Sequence, residues 1–200
     1  MQQQRVLSAA DATFIGALWP QLAGRGLRIA GLAFAGSLAL AASAKLQVPF
    51  YPVPMTMQSL VVLLIGMAFG WRLGGATVLL YLAEGLLGLP VFAGTPEKGI
   101  GLAYMAGPTG GYLVGFLFAA VLTGWLAERG WDRSLWRSAV ALSLGHAALF
   151  LTGLGWLSVF LGWSKAVEFG LTPFLWGSLV KTVLGVALVR AGWAMLEPRR

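Results

Sequence analysis

Residues 56–89 of this chain read TMQSLVVLLIGMAFGWRLGGATVLLYLAEGLLGL, a stretch in which only Arg72 and Glu84 carry a charge. A transmembrane helix needs about 20 mostly apolar residues, so this stretch is long enough for two of them. Arg72 and the following pair Gly74 and Gly75 interrupt the apolar run. The sequence therefore predicts two membrane-spanning helices that meet close to Arg72.

The composition of the whole chain agrees with a membrane protein. Of its 200 residues, 58% are hydrophobic and 10% are charged, against roughly 45–50% and roughly 25% in soluble domains. So few charges exclude a soluble surface and also a disordered chain, which would be polar and charged. We predict an all-α bundle that is integral to the membrane and has six transmembrane helices. The six predicted spans lie near residues 27–46, 56–71, 73–89, 110–127, 138–163 and 172–193.

The basic residues indicate the orientation of this bundle. All ten arginines fall on the side of the two termini, whereas Lys45, Lys98 and Lys165 fall on the opposite side. By the positive-inside rule, both termini are predicted to be cytoplasmic, in a bacterial inner membrane that the chain crosses several times. We expect residues 1–26 to form a cytoplasmic or interfacial segment and residues 27–200 to form the membrane domain. The net charge of +7 thus follows from topology and does not indicate nucleic-acid binding, which requires a contiguous basic face.

The sequence contains no recognisable motif for catalysis, metal binding or ATP binding. The chain has no cysteine, which excludes disulfides and thiolate metal sites, and it has no Gly-x-x-x-x-Gly-Lys-Ser/Thr loop for ATP. The single histidine, His146, cannot form a metal-binding pair, and we interpret it as a packing residue rather than a proton carrier. We expect no enzyme activity, no metal and no cofactor.

Lys181 is the most informative single residue. A lysine near the centre of a bilayer costs roughly 2.5–3.5 kcal/mol on insertion scales, so it is expected to face a polar interior. Ser178 and Phe174 lie on the same helical face, which would suit an amphipathic anionic ligand. The alternative is that Lys181 pairs with Glu84 as a structural contact. Glu84 could equally accept hydrogen bonds from a ligand, and the sequence does not separate these roles.

Two loops on the side opposite the termini are unusual. Residues 47–58 contain three prolines within six positions, which fix an extended backbone, and they also carry Phe50 and Tyr51. Residues 88–112 are rich in glycine and apolar side chains. This second loop either packs over a ligand at the outer face or forms a tight re-entrant turn between helices.

The first predicted span has small residues at every fourth position. They are Gly31, Ala35, Ala39 and Ser43, and such a strip allows another helix to approach closely. The partner could be a helix of this chain or of another protein.

Four stretches of the chain together are similar to those of one known family. They are VPFYPVPMTMQ at residues 48–58, YLAEGLLGLPVFAG at 81–94, GPTGGYLVGF at 107–116 and PFLWGSLVK at 173–181. In this order and spacing they resemble the BioY family, the biotin-binding S components of energy-coupling-factor (ECF) transporters. The resemblance extends over about residues 28–190.

This resemblance implies high-affinity biotin binding near the outer face, and uptake with the help of a transmembrane coupling protein and ATPase subunits. Many members carry an aspartate where this chain has Ser178. The resemblance also implies that Ala35 and Ala39 contact the coupling protein. We expect the apolar body of biotin to contact aromatic side chains and Lys181 to meet either its carboxylate or its ureido oxygen. The substrate-binding residues expected on all these grounds are Lys181, Ser178, Gly94, Thr109, Tyr51, Phe92, Gln58, Glu84 and Tyr112.

Two other functions compete with this interpretation. A self-sufficient secondary transporter of biotin or another small vitamin would show inverted repeats and a buried ion-coupling acid, and neither is evident in the sequence. A membrane enzyme would need a set of residues able to perform chemistry, and none is recognisable.

Overall fold

In the computed structural model, which describes residues 13–18, 26–94 and 99–196, the chain is a bundle of apolar helices. The helices are α1 (Phe14–Leu18), α2 (Gly26–Lys45), α3 (Gln58–Leu86), α4 (Gly101–Ala106), α5 (Gly110–Ala127), α6 (Leu135–Leu161), α7 (Trp163–Gly170) and α8 (Phe174–Leu196). Five of them, namely α2, α3, α5, α6 and α8, are long and apolar enough to cross a membrane. The prediction of a helical membrane bundle is confirmed at this level.

The chain reverses direction within α3. Gly70 has φ 79° and ψ 174°, a backbone conformation that glycine adopts more readily than other residues. The two arms on either side of it are in contact, because a Cβ built on Gly74 would lie 3.1 Å from the Cα of Gly66. The break therefore lies at Gly70. The sequence predicted it slightly later, at Arg72 and Gly74, which lie two and four positions further along the chain. Gly66 lies four positions before Gly70 and Gly74 lies four positions after it, so the contact joins positions equally distant from the turn.

The two ends of the bundle differ in structure. The loop end comprises residues 46–57, 87–94, 99–109 and 162–173, and the terminal end comprises α1, Gly70 and residues 128–134. At the loop end, the predicted all-α fold needs one correction. Two short strands, β1 (Gln47–Val48) and β2 (Met55–Thr56), pair as an antiparallel hairpin. The proline-rich segment connects these strands and includes a cis peptide bond between Tyr51 and Pro52.

Apolar side chains also cover much of the outside of the bundle. On α8, Leu179, Val180 and Val183 are exposed, whereas Lys181 and Thr182 between them are buried. This arrangement reverses the pattern of a soluble protein, in which the exposed side of a helix is polar. Lipid is the environment that suits such a surface.

The terminal end is closed by contacts between α1, α8 and a 3-10 turn at Trp131–Arg133. The ring of Phe14 packs edge-on against Trp193 at 5.3 Å, and the Trp193 Nε1–H donates to Asp132 Oδ2 at 2.8 Å. The expected interfacial segment, residues 1–26, is described only for residues 13–18 before α2 begins at Gly26. There it is a short helix packed on the bundle, and the rest of that segment lies outside the described residues.

We expect Asp132 to make the stability of the protein depend on pH. Burial raises the pKa of its carboxyl, which is 1% exposed, although the Trp193 N–H and Arg133 oppose this shift. Because the folded protein then binds this proton more tightly than the unfolded chain, stability falls as pH rises from the unfolded towards the folded pKa. Asp132→Asn should therefore raise the midpoint of thermal unfolding at pH 7 by about 2–4 °C, the effect of about 1 kcal/mol in a chain of this size.

Thermal unfolding of detergent-solubilised protein, followed by tryptophan fluorescence, would measure this difference. It should shrink as the pH is lowered below about 4, since the carboxyl of the unmodified protein then becomes neutral in both states. The exposed Glu168 provides a matched control, Glu168→Gln. A lower midpoint for Asp132→Asn at pH 7 would mean that the contact between Asp132 and Arg133, at 3.9 Å, outweighs the cost of burying the charge.

Candidate functional site

A cavity lies at the loop end of the bundle, between α3, α5, α6, α8 and the β1–β2 hairpin. Each of these elements contributes side chains to its wall, and most of them are apolar or aromatic. The lining residues are Val53, Pro54, Thr56, Ser59, Tyr112, Phe116, His146, Leu149, Phe150, Phe174, Ser178 and Lys181. Of the nine predicted substrate-binding residues, the structure brings Lys181, Ser178 and Tyr112 together here.

Lys181 enters the cavity from α8 and is 8% exposed. Its ammonium group donates to the Thr56 carbonyl at 2.6 Å and to Ser59 Oγ at 3.0 Å. An ammonium group has three donors, so these two bonds leave one for a ligand. The alternative contact with Glu84 is not formed, because the Glu84 carboxylate instead accepts a hydrogen bond from the Ser37 hydroxyl.

Aromatic rings form the wall between Lys181 and the loop end. The Phe174 ring lies 6.1 Å from Phe50 and 6.5 Å from Phe150. Tyr112 lines the opposite side, and its hydroxyl donates to the Gly170 carbonyl at 2.9 Å. The cavity thus combines apolar walls with one cation, a combination that suits a ligand with an apolar body and a polar or anionic group.

A second cluster beside the cavity holds the loop after α3 in place. Gln58 Nε2 donates to the Tyr81 hydroxyl at 2.5 Å, and that hydroxyl donates to the Val91 carbonyl at 3.1 Å. Phe92 is fully buried and stacks on Tyr104 at 5.2 Å. Lys45 Nζ bonds the Phe92 carbonyl at 3.0 Å. Gln58 and Phe92, both predicted to bind substrate, therefore support the loop and do not line the cavity.

The remaining predicted residues lie elsewhere around the loop end. Tyr51 is 88% exposed at the tip of the β1–β2 hairpin. Gly94 has φ 72° at the end of the loop that follows α3. Thr109 precedes α5, where its carbonyl accepts the N–H of Tyr112 at 3.0 Å. Glu84 lies on α3, and its carboxylate contacts Ser37 of α2, so none of these four residues lines the cavity.

Several lining residues were not predicted from the sequence, and His146 is one of them. It was interpreted as a packing residue, yet it borders the cavity together with Leu149 and Phe150. The spacing of these three residues, i, i+3 and i+4, places them on one face of α6. This spacing on α6, taken together with the face of α8 that carries Lys181, is the sequence signal for a site shared by the two helices.

The two alanines predicted to contact a partner lie on the outside of the bundle. Ala35 and Ala39 are both exposed on α2. A Cβ added to Gly31, one turn earlier, would have no atom within 4 Å in the described part of the chain. This face of α2 is therefore open to a neighbouring helix.

Comparisons with known proteins agree with the resemblance found in the sequence. A family model described as the BioY family matches residues 21–198. A probable biotin transporter BioY of Pyrococcus horikoshii is 37% identical over 145 residues, which cover 72% of this chain and 83% of the relative. A biotin transporter BioY of Rhizobium etli is 37% identical over 162 residues, covering 75% and 84%.

A solved structure has a similar fold. It is a crystal structure of the S-component for biotin from an ECF-type ABC transporter. The TM-score is 0.68 at 25% sequence identity, and the match covers 82% of this chain and 90% of the other. The similarity thus extends over most of both chains.

Proposed function

This chain belongs to the BioY family, and we propose that it takes up biotin as the substrate-specific component of an ECF transporter. The observation that carries this proposal is the buried Lys181 ammonium group in a cavity with aromatic and aliphatic walls. Members of the family are transporters and not enzymes. The protein is a multi-pass protein of a bacterial membrane, as its five long apolar helices also indicate.

Biotin fits the chemistry of this cavity. Its bicyclic body and aliphatic chain suit the rings of Phe116, Phe150 and Phe174, while its ureido and carboxylate groups need hydrogen-bond donors. Lys181 offers its remaining N–H to one of these groups, and Ser178 adds a hydroxyl in place of the aspartate of many relatives. These residues and Tyr112 form the substrate site in our proposal.

The roof of the site, which is the part of the cavity wall formed by Val53 and Pro54, must move for biotin to enter. The cavity has a volume of about 50 Å³, room for only a few water molecules. Val53 and Pro54 close it on the loop side, in the segment that joins β1 to β2. This segment is the part of the wall that belongs to no long helix. We therefore propose that its movement opens the cavity.

The same proposal includes the topology. The two arms of α3, separated by Gly70, count as two spans, which makes six with α2, α5, α6 and α8. The arginines of the sequence then place the terminal end, and with it both termini, in the cytoplasm. The loop end, with its cavity, faces the outside, where the substrate arrives.

The energy for uptake would come from other subunits. The open face of α2 around Ala35 and Ala39 suits the transmembrane coupling protein, since small residues let helix backbones approach closely. ATPase subunits would bind to that coupling protein. A chain that instead moves biotin by itself would take up the vitamin in cells that lack all ATPase subunits.

Equilibrium binding to the purified protein tests the substrate. We expect biotin to bind with high affinity, and riboflavin and thiamine to give no signal at the same concentrations, because neither has a ureido ring with an aliphatic carboxylate. Isothermal titration calorimetry in detergent would measure all three. Folded protein that shows no affinity for biotin would refute the proposal.

A further inference from the structure

His146 is a buried polar side chain in the wall of the cavity. It is 5% exposed, and its Nδ1 lies 3.3 Å from Thr182 Oγ1. Within the described part of the chain, no atom forms a hydrogen bond with the other ring nitrogen, Nε2. A buried polar atom without a partner costs about 1–3 kcal/mol. Such an atom in the wall of a binding cavity is a candidate for a ligand contact.

The position of the imidazole in the cavity supports such a contact. His146 projects from α6, and Thr182 lies next to Lys181 on α8, so His146 and Lys181 border the same part of the wall. Thr182 is two turns along α8 from Phe174 at the loop end, so His146 lies deeper in the bundle than the Phe174 ring. The Lys181 ammonium group instead reaches the Thr56 carbonyl in β2, so the two nitrogen-bearing side chains line adjacent parts of the cavity wall.

The two side chains complement each other chemically. The Lys181 ammonium group can only donate. A neutral imidazole has one nitrogen that donates and one that accepts, and a ring that donates from Nδ1 towards Thr182 Oγ1 leaves Nε2 as an acceptor. A cyclic urea has an acceptor oxygen flanked by donor N–H groups, whereas a carboxylate has acceptors only. Together, the donor and the acceptor match the urea.

We propose that the His146 ring carries its proton on Nδ1 and that its Nε2 accepts a hydrogen bond from a ureido N–H of biotin, while Lys181 donates to the ureido oxygen. His146 is then a specificity-determining residue that recognises the ureido ring. The ureido ring then lies between His146 and Lys181, and the carboxylate points away from both side chains. This inference rests on the proposed function, because it assigns one end of the same ligand.

Two substitutions separate the two nitrogens of His146. The amide of a glutamine reaches the position of Nε2, so His146→Gln keeps an acceptor there. The shorter amide of an asparagine reaches the position of Nδ1, so His146→Asn keeps the contact with Thr182 and loses the acceptor. We expect His146→Asn to weaken biotin binding about tenfold and His146→Gln to stay within about threefold of the unmodified protein, as measured by calorimetry.

Two analogues identify the end of biotin that His146 contacts. Biotin amide has an altered carboxylate and an intact ureido ring, so His146→Asn should weaken its binding by the same factor of about ten. Biotin that carries a methyl group on a ureido nitrogen lacks one N–H. Its binding should already be weak in the unmodified protein, and the substitution should change it little, because the hydrogen bond is missing in both cases.

The outcomes distinguish this inference from the proposed function. No biotin binding by the unmodified, folded protein would refute the proposed function itself. Normal binding of biotin by both the unmodified protein and His146→Asn would overturn the role of His146 alone. A loss that affects biotin but not biotin amide would also overturn it, since Nε2 would then contact the carboxylate. Thermal unfolding of each variant without ligand verifies that the protein is folded.

Discussion

Lys181→Met is expected to weaken biotin binding about 100-fold or more, the largest effect on function that we expect from a single substitution. Removing one partner of a buried, hydrogen-bonded charged contact costs about 2–5 kcal/mol. Methionine has a similar length and is apolar, so it fills the space of the lysine without donating a hydrogen bond. Calorimetric titration of the purified variant with biotin would measure the loss.

Lys165→Met is the matched control, because Lys165 is exposed on α7, outside the cavity. It should bind biotin as the unmodified protein does. Lys181 also bonds the Thr56 carbonyl and the Ser59 hydroxyl, so thermal unfolding without biotin must be compared for both variants. If Lys181→Met unfolds at a much lower temperature and the folded remainder binds biotin normally, Lys181 is a structural contact and not part of the substrate site.

The long apolar runs made most of the fold predictable. The predicted span at residues 110–127 coincides with α5, Gly110–Ala127, because glycines and charged residues limit the apolar run at both its ends. The hairpin within α3 was predicted less accurately. Its turn at Gly70 depends on one backbone conformation, whereas the neighbouring sequence offers Arg72, Gly74 and other plausible places for a break.

The site was predictable only in part. A sequence shows the chemical type of each side chain, but it does not show towards which neighbours that side chain points. Lys181 was found because a charge in an apolar helix is costly and needs a polar environment. Phe92 and Gln58 belong to motifs of the same family, but their side chains turn towards Tyr104 and Tyr81. The position of His146 in the cavity wall was not predicted because it depends on the contact between α6 and α8, and no local pattern in α6 reveals that contact.

The packing of the bundle depends on glycine at the crossing of α3 and α5. A methyl group added to Gly66 would collide with Thr123 Oγ1 and the Ala120 carbonyl, and it would lie 3.0 Å from the Ala120 Cα. Two of these atoms belong to the backbone of α5, so no side-chain rotation relieves the collision. Gly74, on the other arm of α3, also packs against Gly66. Gly66 is therefore confined between α5 and the second arm of α3.

We therefore expect Gly66→Ala to lower the midpoint of thermal unfolding by about 2–12 °C, since overpacking costs about 1–3 kcal/mol and each kcal/mol shifts the midpoint by about 2–4 °C. Gly155→Ala on α6 is the matched control, because a methyl group there meets no atom of the described residues within 4 Å. Alanine favours a helix over glycine, so the control should be neutral or slightly stabilising. Equal midpoints for the two variants would mean that α3 and α5 do not cross as closely as Gly66 requires.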